Sequence, residues 1–488
     1  MLLRIKKFLL ENNNVRQTIL KNTFWLSVGA VGSKIIRAVM VIYAARILGA
    51  GDYGIFSYAF GLASIFSIFA DLGLSPLLTR ELTNHTTPDK KSYVSTIIAT
   101  KFGLMILSFA LVAIFAPLVS KVPEANPLLI LVGLLIIIDG VRSFGFAIIR
   151  AESRMEKEAR LSFGTELITA VLAVLVLVYA PSVKNLIISY LIGSTLGSLA
   201  VFFHIRTYLK NIVSNFTKSL AKEAIKSSIP YAMIGIFGGL MVNIDTYFLG
   251  YFMNAEAVGL YSAALRPVMM LYLVPTFLTI AIFPTMNKYV SEGNSGALKS
   301  LTERGLLSTI ALALPIACGG LIMGGTLIHN IFGAEYSGSI GSFKILLLSV
   351  ILVFPGMILG HVLFSKNSKV APIKAAGIGA VINIVLDILL IPIIGIEGSA
   401  IATLSSQIVM NAILLRETNK LMPLRFFGRI WKLLLASLGM GAIVYALLFA
   451  GWNTIIIVLI GALIYVGMLY ILREKLLIEV FQSLKASP

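Results

Sequence analysis

From Asn22 onward the chain is a succession of apolar runs, each about twenty residues long, separated by short polar pieces. That alternation leaves few folds open. A helical run of this length, rising about 1.5 Å per residue, matches the roughly 30 Å hydrocarbon core of a bilayer. Fourteen such runs occur, starting near Asn22, Ile55, Val94, Pro127, Leu161, Lys184, Ile229, Val258, Leu301, Ser339, Ala371, Glu397, Gly428 and Asn453. Only 13% of residues are charged, against about 25% in soluble domains. The expected fold class is an all-α polytopic membrane protein.

The distribution of cations tests that count. If the N-terminus is cytoplasmic, 31 of the 40 Lys and Arg fall in cytoplasmic segments. Three (Arg46, Lys121 and Lys184) fall on the opposite side, and six lie within the runs. Short cytoplasmic loops carry excess Lys and Arg, and an error of one span would invert the bias for every later loop. Both termini are therefore expected in the cytoplasm, with the protein multi-pass in the cell membrane. The net charge of +18 follows from this topology. It does not indicate nucleic acid, which needs a basic stripe presented to water.

Other classes lose support in the same way. Cys318 is the only cysteine, so no intrachain disulfide or thiol metal cluster can form, and His85, His204, His329 and His361 have no metal-ligand spacing. No cofactor and no metal are expected. The opening "MLLRIKKFLLENNNVRQTILKN" lacks a cleavage site and reads as an interfacial amphipathic segment. No external connection is long enough for a soluble catalytic domain, which argues against a membrane-embedded enzyme.

Two stretches some 200 residues apart are alike. "AARILGAGDYGIFSYAFG", from Ala44, and "TYFLGYFMNAEAVGLYSAALRP", from Thr246, both pass through Leu-Gly and a short turn to Gly-aliphatic-aromatic-Ser, Gly54–Ser57 and Gly259–Ser262. Each then enters a span interrupted by proline, Pro76 or Pro284. The copies are six spans apart and so have the same orientation, as in parallel repeats about an axis along the membrane normal. The expected organisation is an amphipathic segment (1–21), a six-helix lobe (22–209), a linker (210–228), a second lobe (229–418), two further helices (428–472) and a cytoplasmic tail (473–488).

Eleven ionisable residues lie inside the runs: Lys34, Arg37, Lys101, Arg142, Arg266, Lys344, Asp71, Asp139, Glu166, Asp245 and Asp387. Lys344 is close enough to an end to snorkel. Lys101, Glu166 and Asp71 lie near the cytoplasmic end, where anchoring or capping accounts for them. Asp139 and Arg142, three residues apart, suit an intrahelical ion pair. Lys34 and Arg37 are deep in the first span with no acid on it, Asp245 is deep in the seventh, and Arg266 is in the eighth. Intramembrane charge faces protein or water. Lys34, Arg37 and Arg266, with Arg46 at the rim, are thus expected to line a wet cavity between lobes that takes an anionic cargo. Pairing of Asp245 with Lys34, Arg37 or Arg266 is the competing account.

The stretches "NTFWLSVGAVGSKIIRAVMVIYAARILGAGDYGIFSYAFG", "NIDTYFLGYFMNAEAVGLYSAALRP" and "NIVLDILLIPIIGIEGSAIATLSSQIV" resemble the polysaccharide-biosynthesis flippases of the multidrug/oligosaccharidyl-lipid/polysaccharide exporter superfamily. The resemblance implies a V-shaped pair of six-helix lobes plus two C-terminal helices. It also implies alternating-access transport of a polyprenyl-linked glycan, cationic cavity residues where Lys34, Arg37 and Arg266 fall, and no enzymatic step. The expected partners are the anionic lipid-linked glycan and membrane lipids, with the protein a monomer. Asp245 is the carboxylate expected to bind a coupling Na⁺ or H⁺. A multidrug cation antiporter and a lipid-linked peptidoglycan-precursor flippase are the alternatives within the superfamily.

Overall fold

The computed structural model describes residues 15–83, 90–206, 216–368 and 370–474, and every regular element among them is helical. In chain order the main helices are α1 (Val15–Asp71), α2 (Leu74–Thr83), α3 (Lys90–Ile114), α4 (Asn126–Ala151), α5 (Met155–Tyr179), α6 (Val183–Ile205), α7 (Lys218–Phe252) and α8 (Ala255–Leu271). They continue with α9 (Leu273–Ser291), α10 (Ser295–Phe332), α11 (Ile340–Leu348), α12 (Val350–Ser365), α13 (Val370–Leu421), α14 (Ile430–Phe449) and α15 (Thr454–Ile471). Of the expected amphipathic segment, residues 1–14 lie outside the described residues, and from Val15 the chain is helix continuous with the first run. Residues 475–488 of the expected tail and 210–215 of the expected linker also lie outside them.

Twelve segments are long and apolar enough to cross a membrane, which makes this a multi-pass membrane protein. Two of the twelve, Phe24–Leu82 and Val370–Leu421, are 59 and 52 residues long, and an unbroken helix of that length would reach about 80 Å or more. Each contains a break. Gly49 has φ 75 and ψ 172 inside α1. Ile394 and Gly395 leave helical geometry inside α13, Gly395 with φ 63 and ψ −136. Positive φ of this kind suits glycine, which has no Cβ to clash. Residues 15–48 and 50–71 are therefore treated as two arms of α1, and residues 370–393 and 396–421 as two arms of α13.

The chain divides into two compact units, Met1–Gly259 and Leu260–Pro488. The division falls within α8 and not in the stretch 210–228, whose described part is already helix from Lys218. α7 belongs to the first unit because its small residues accept neighbours there. Gly239 lies against Ile68, Thr246 against Gly61, and Gly250 against the Tyr58 ring.

Contacts inside the first unit give each helix a direction. Ser33 meets Ser162 and Arg37 meets Glu166, both at a separation of 129 residues, so the first arm of α1 runs parallel to α5. α5 is antiparallel to α6, with Thr165 against Gly197 and Thr169 against Gly193. α6 is parallel to α4, with Ser198 bonded to the Ile138 carbonyl and Val201 against Gly145. α4 is antiparallel to α3, with Val112 against Gly133 and Met105 against Gly140. α3 is antiparallel to the second arm of α1, with Ser108 bonded to the Phe66 carbonyl and Lys101 to Asp71. The chain consequently reverses at Gly49.

One apolar core of the first unit gathers Leu74, Leu77, Ile97, Phe144, Ile148 and Val201. That of the second unit gathers Leu306, Ile358, Leu433, Met440 and Tyr465, so α14 and α15 share a core with α10. The Tyr465 hydroxyl donates to the Ala311 carbonyl at 2.7 Å, and the Cys318 thiol to the Ser437 carbonyl at 3.2 Å. The two further helices expected at the C-terminus are integral to their unit.

Candidate functional site: the embedded charges

In the first unit the first arm of α1 and α5 meet along a ladder of small and polar residues. Lys21 pairs with Glu156 at 3.1 Å. Gly29 abuts Ala159 where a Cβ would overlap the Ala159 backbone, and the Ser33 and Ser162 hydroxyls lie 2.9 Å apart. One turn further, Arg37 Nε donates to Glu166 Oε2 at 3.0 Å and Nη2 to Oε1 at 2.5 Å. Close approach through small residues is how helices pack where lipid offers no hydrophobic drive. It brings the guanidinium within reach of its carboxylate.

The pair is unevenly covered. The Arg37 side chain is 48% exposed and that of Glu166 is 9%. Lys34, beside it on the same arm, is exposed and makes no ion pair among the described residues. Arg46 is exposed at the end of that arm, just before the break. Glu166, expected near an interface as an anchor or cap, is instead the counter-charge of Arg37. No acid lies on the same span as Arg37, and its partner is 129 residues away along the chain. The legible signal was a shared spacing: Ser33 with Ser162 and Arg37 with Glu166.

A second cluster closes the break between α1 and α2. Leu72 and Gly73 have φ 40 and φ 75, and Asp71 caps α2 by accepting from the Ser75 hydroxyl at 2.5 Å and from its backbone N–H at 3.4 Å. Lys101 of α3 donates to Asp71 Oδ1 at 2.5 Å, to the Ser75 hydroxyl, and to the Ser143 hydroxyl of α4 at 3.4 Å. Asp71 therefore caps as expected of its position. Lys101 does not anchor at an interface: its side chain is only 2% exposed.

The remaining embedded residues are distributed as follows. Asp139 and Arg142 pair within α4 at 2.9 Å. Asp245, on α7 of the first unit, is buried at 1% exposure. In the second unit Arg266 is exposed on α8 and makes no ion pair among the described residues. Lys344 is half-buried, its stem along Gly324. Asn383 and Asp387, one turn apart on the first arm of α13, are buried, and the Tyr261 hydroxyl lies 3.2 Å from that of Thr403. Asn383 carries no charge and so does not stand out in the sequence as an embedded ion would. Among the described residues no group of three or more His, Cys, Asp or Glu could hold a metal ion.

Known proteins share this architecture. The fold is similar to that of a lipid II flippase in an inward closed conformation, with a TM-score of 0.74 and 17% identity over 92% of this chain and 99% of that one. It is also similar to an inward-facing multidrug resistance transporter, with a TM-score of 0.67 and 12% identity over 82% and 95% of the two chains. In sequence, the chain is 24% identical over 434 residues to a Haloferax volcanii protein named "Probable low-salt glycan biosynthesis flippase Agl15", covering 88% of this chain and 89% of the relative. Residues 19–290, more than half of the chain, match the model of the polysaccharide biosynthesis protein family, and the chain belongs to that family.

Proposed function

We propose that this protein is a flippase carrying a polyprenyl-(pyro)phosphate-linked oligosaccharide across the cytoplasmic membrane by alternating access. The observation that carries the reading is the cationic stretch of α1. Lys34 and Arg37 lie in the first membrane segment yet remain exposed. Lys34, which makes no ion pair among the described residues, stands where an unpaired cation in hydrocarbon costs about 2.5–3.5 kcal/mol on insertion scales. An anionic headgroup entering beside them offsets that cost. Arg46, exposed at the end of the same arm, adds positive charge there, and Arg266, exposed on α8 of the second unit, is proposed as a further substrate-binding cation. The naming of the Haloferax relative as a glycan biosynthesis flippase supports a lipid-linked glycan as the cargo. Translocation needs no covalent step, so no catalytic residue is assigned.

The proposed topology has fourteen crossings with both termini in the cytoplasm. The reversal at Gly49 and the parallel first arm and α5 support counting α1 as two crossings. In the second unit, Gly341 lies against Glu397 and Gly356 against Asn411, so α11 and α12 run parallel to the second arm of α13. That supports counting α13 as two as well. Asp245, buried on α7, is proposed as the carboxylate of Na⁺ or H⁺ coupling, and the working unit as a monomer.

A multidrug antiporter is the alternative favoured by the fold likeness to the multidrug transporter. A cationic drug, however, gains nothing from Lys34, Arg37 and Arg266. The test is export in a glycan-producing cell. Lys34→Gln with Arg37→Gln should reduce surface glycan to background while the protein remains abundant in the membrane. Undiminished export would reject the reading, and resistance to cationic drugs conferred by the wild-type protein would favour the antiporter.

A further inference from the structure

We propose that Glu166 is a positioning residue for the anionic headgroup, clamping one edge of the Arg37 guanidinium so that the other edge is turned out to receive a phosphate. The inference rests on the flippase reading and concerns the same cations. A guanidinium carries five N–H donors in a planar fork and can meet oxyanions along more than one edge. Glu166 occupies the edge formed by Nε and Nη2. Nη1 makes no hydrogen bond to that carboxylate, and the Arg37 side chain as a whole is 48% exposed while that of Glu166 is 9% exposed.

Two other pairs in the same unit bear on this one. Arg150–Glu158 has the same order of exposure, 43% and 9%, but lies at the turn between α4 and α5, outside the apolar runs. Lys101–Asp71, within the runs, has the opposite order. In Lys101–Asp71 the cation is covered at 2% and the carboxylate is 37% exposed. There the ammonium is spent on closing a break between helices. At Arg37 the order is reversed, with the carboxylate enclosed by the α1–α5 ladder and the cation presented. The two helices are also joined by the ladder of Gly29–Ala159 and Ser33–Ser162.

Glu166 also trims the charge. Lys34, Arg37 and Glu166 together leave one net positive charge where two cations alone would leave two. A transporter must release its cargo, and a weaker field lowers the barrier to release. Removing the carboxylate therefore strengthens headgroup binding and slows turnover, provided Arg37 keeps its orientation. Gln meets that condition because its amide oxygen still accepts from Arg37.

The experiment measures binding of farnesyl phosphate, with farnesol as the uncharged control, to full-length purified protein in detergent, on the monodisperse fraction of each variant. The wild-type protein should prefer the phosphate. Arg37→Gln should weaken phosphate binding about tenfold, and Glu166→Gln should tighten it roughly fivefold, as expected for removing one nearby charge. Glu166→Ala, which loses the clamp as well as the charge, should bind more weakly than Glu166→Gln. A pair that only holds helices together would lower the melting temperature in every variant and leave affinity per folded molecule unchanged, overturning the proposal. Weaker binding by Glu166→Gln, or equal binding by the Ala and Gln variants, would overturn it as well. If the wild-type protein does not distinguish farnesyl phosphate from farnesol, the headgroup reading fails with it. If it does and the variants misbehave, only the role of Glu166 fails.

Discussion

Gly54 and Gly259, which hold the same place in the two sequence repeats, make a reciprocal contact: a Cβ at Gly54 would fall on the Ala255 carbonyl, and a Cβ at Gly259 on the Ala50 carbonyl. Ala50 and Ala255 are separated by the same 205 residues as the two glycines. Exchanging the repeats maps the contact onto itself, which is the property of an isologous, two-fold interface. The similarity of "GDYGIFS" and "AEAVGLYS" thus has a physical counterpart, because both glycines serve one close crossing.

Gly54→Ala and Gly259→Ala should each destabilise the protein by about 1–3 kcal/mol, the usual cost of overpacking. The opposing atoms are backbone and cannot turn aside. Because both act at one crossing, the double variant should lose less than the sum of the two. Thermal unfolding in detergent measures this, and strictly additive losses would count against a shared contact.

Lys101→Met should cost about 1–3 kcal/mol, since it leaves Asp71, which is 37% exposed and still bonded to Ser75, without its ammonium. Lys101→Met combined with Asp71→Asn should recover most of that loss. Denaturant titration of the three variants decides. Equal instability of the single and double variants would mean that Lys101 acts through packing alone.

Gly49→Ala should be poorly tolerated, because φ 75 with ψ 172 lies in a region open almost only to glycine, at a cost of order 1–3 kcal/mol for other residues. Gly51→Ala provides the internal control. Gly51 is two residues away in helix, with nothing within 4 Å of an added Cβ, and Ala is favoured over Gly there by up to about 1 kcal/mol. Opposite signs for the two variants in a melting experiment are expected. A neutral Gly49→Ala would remove the argument for an obligatory turn.

Single cysteines placed in a Cys318→Ala background test the topology. Lys121→Cys should react with a membrane-impermeant maleimide in intact cells, and Arg154→Cys only after permeabilisation. The reverse pattern would put the termini on the other side, and labelling of both in intact cells would contradict the span count.

The membrane class and the positions of the runs were legible in the sequence because hydropathy over about twenty residues is a local property. The sequence divides the chain into fourteen runs and the structure shows twelve segments, the difference lying in α1 and α13, each of which continues as one segment across a glycine break.

The partners of the charges were another matter. Sequence alone determined that Lys34, Arg37, Lys101 and Glu166 fall inside apolar runs, since a residue's neighbours along the chain are local information. Only the tertiary structure decided that Arg37 meets Glu166 across 129 residues, that Lys101 is enclosed with Asp71, and that α7 packs with the first unit. The physical reason is that lateral packing of helices in lipid depends on where small residues let backbones approach. Many pairs of apolar helices offer such places, and the choice among them emerges only when all the helices pack together.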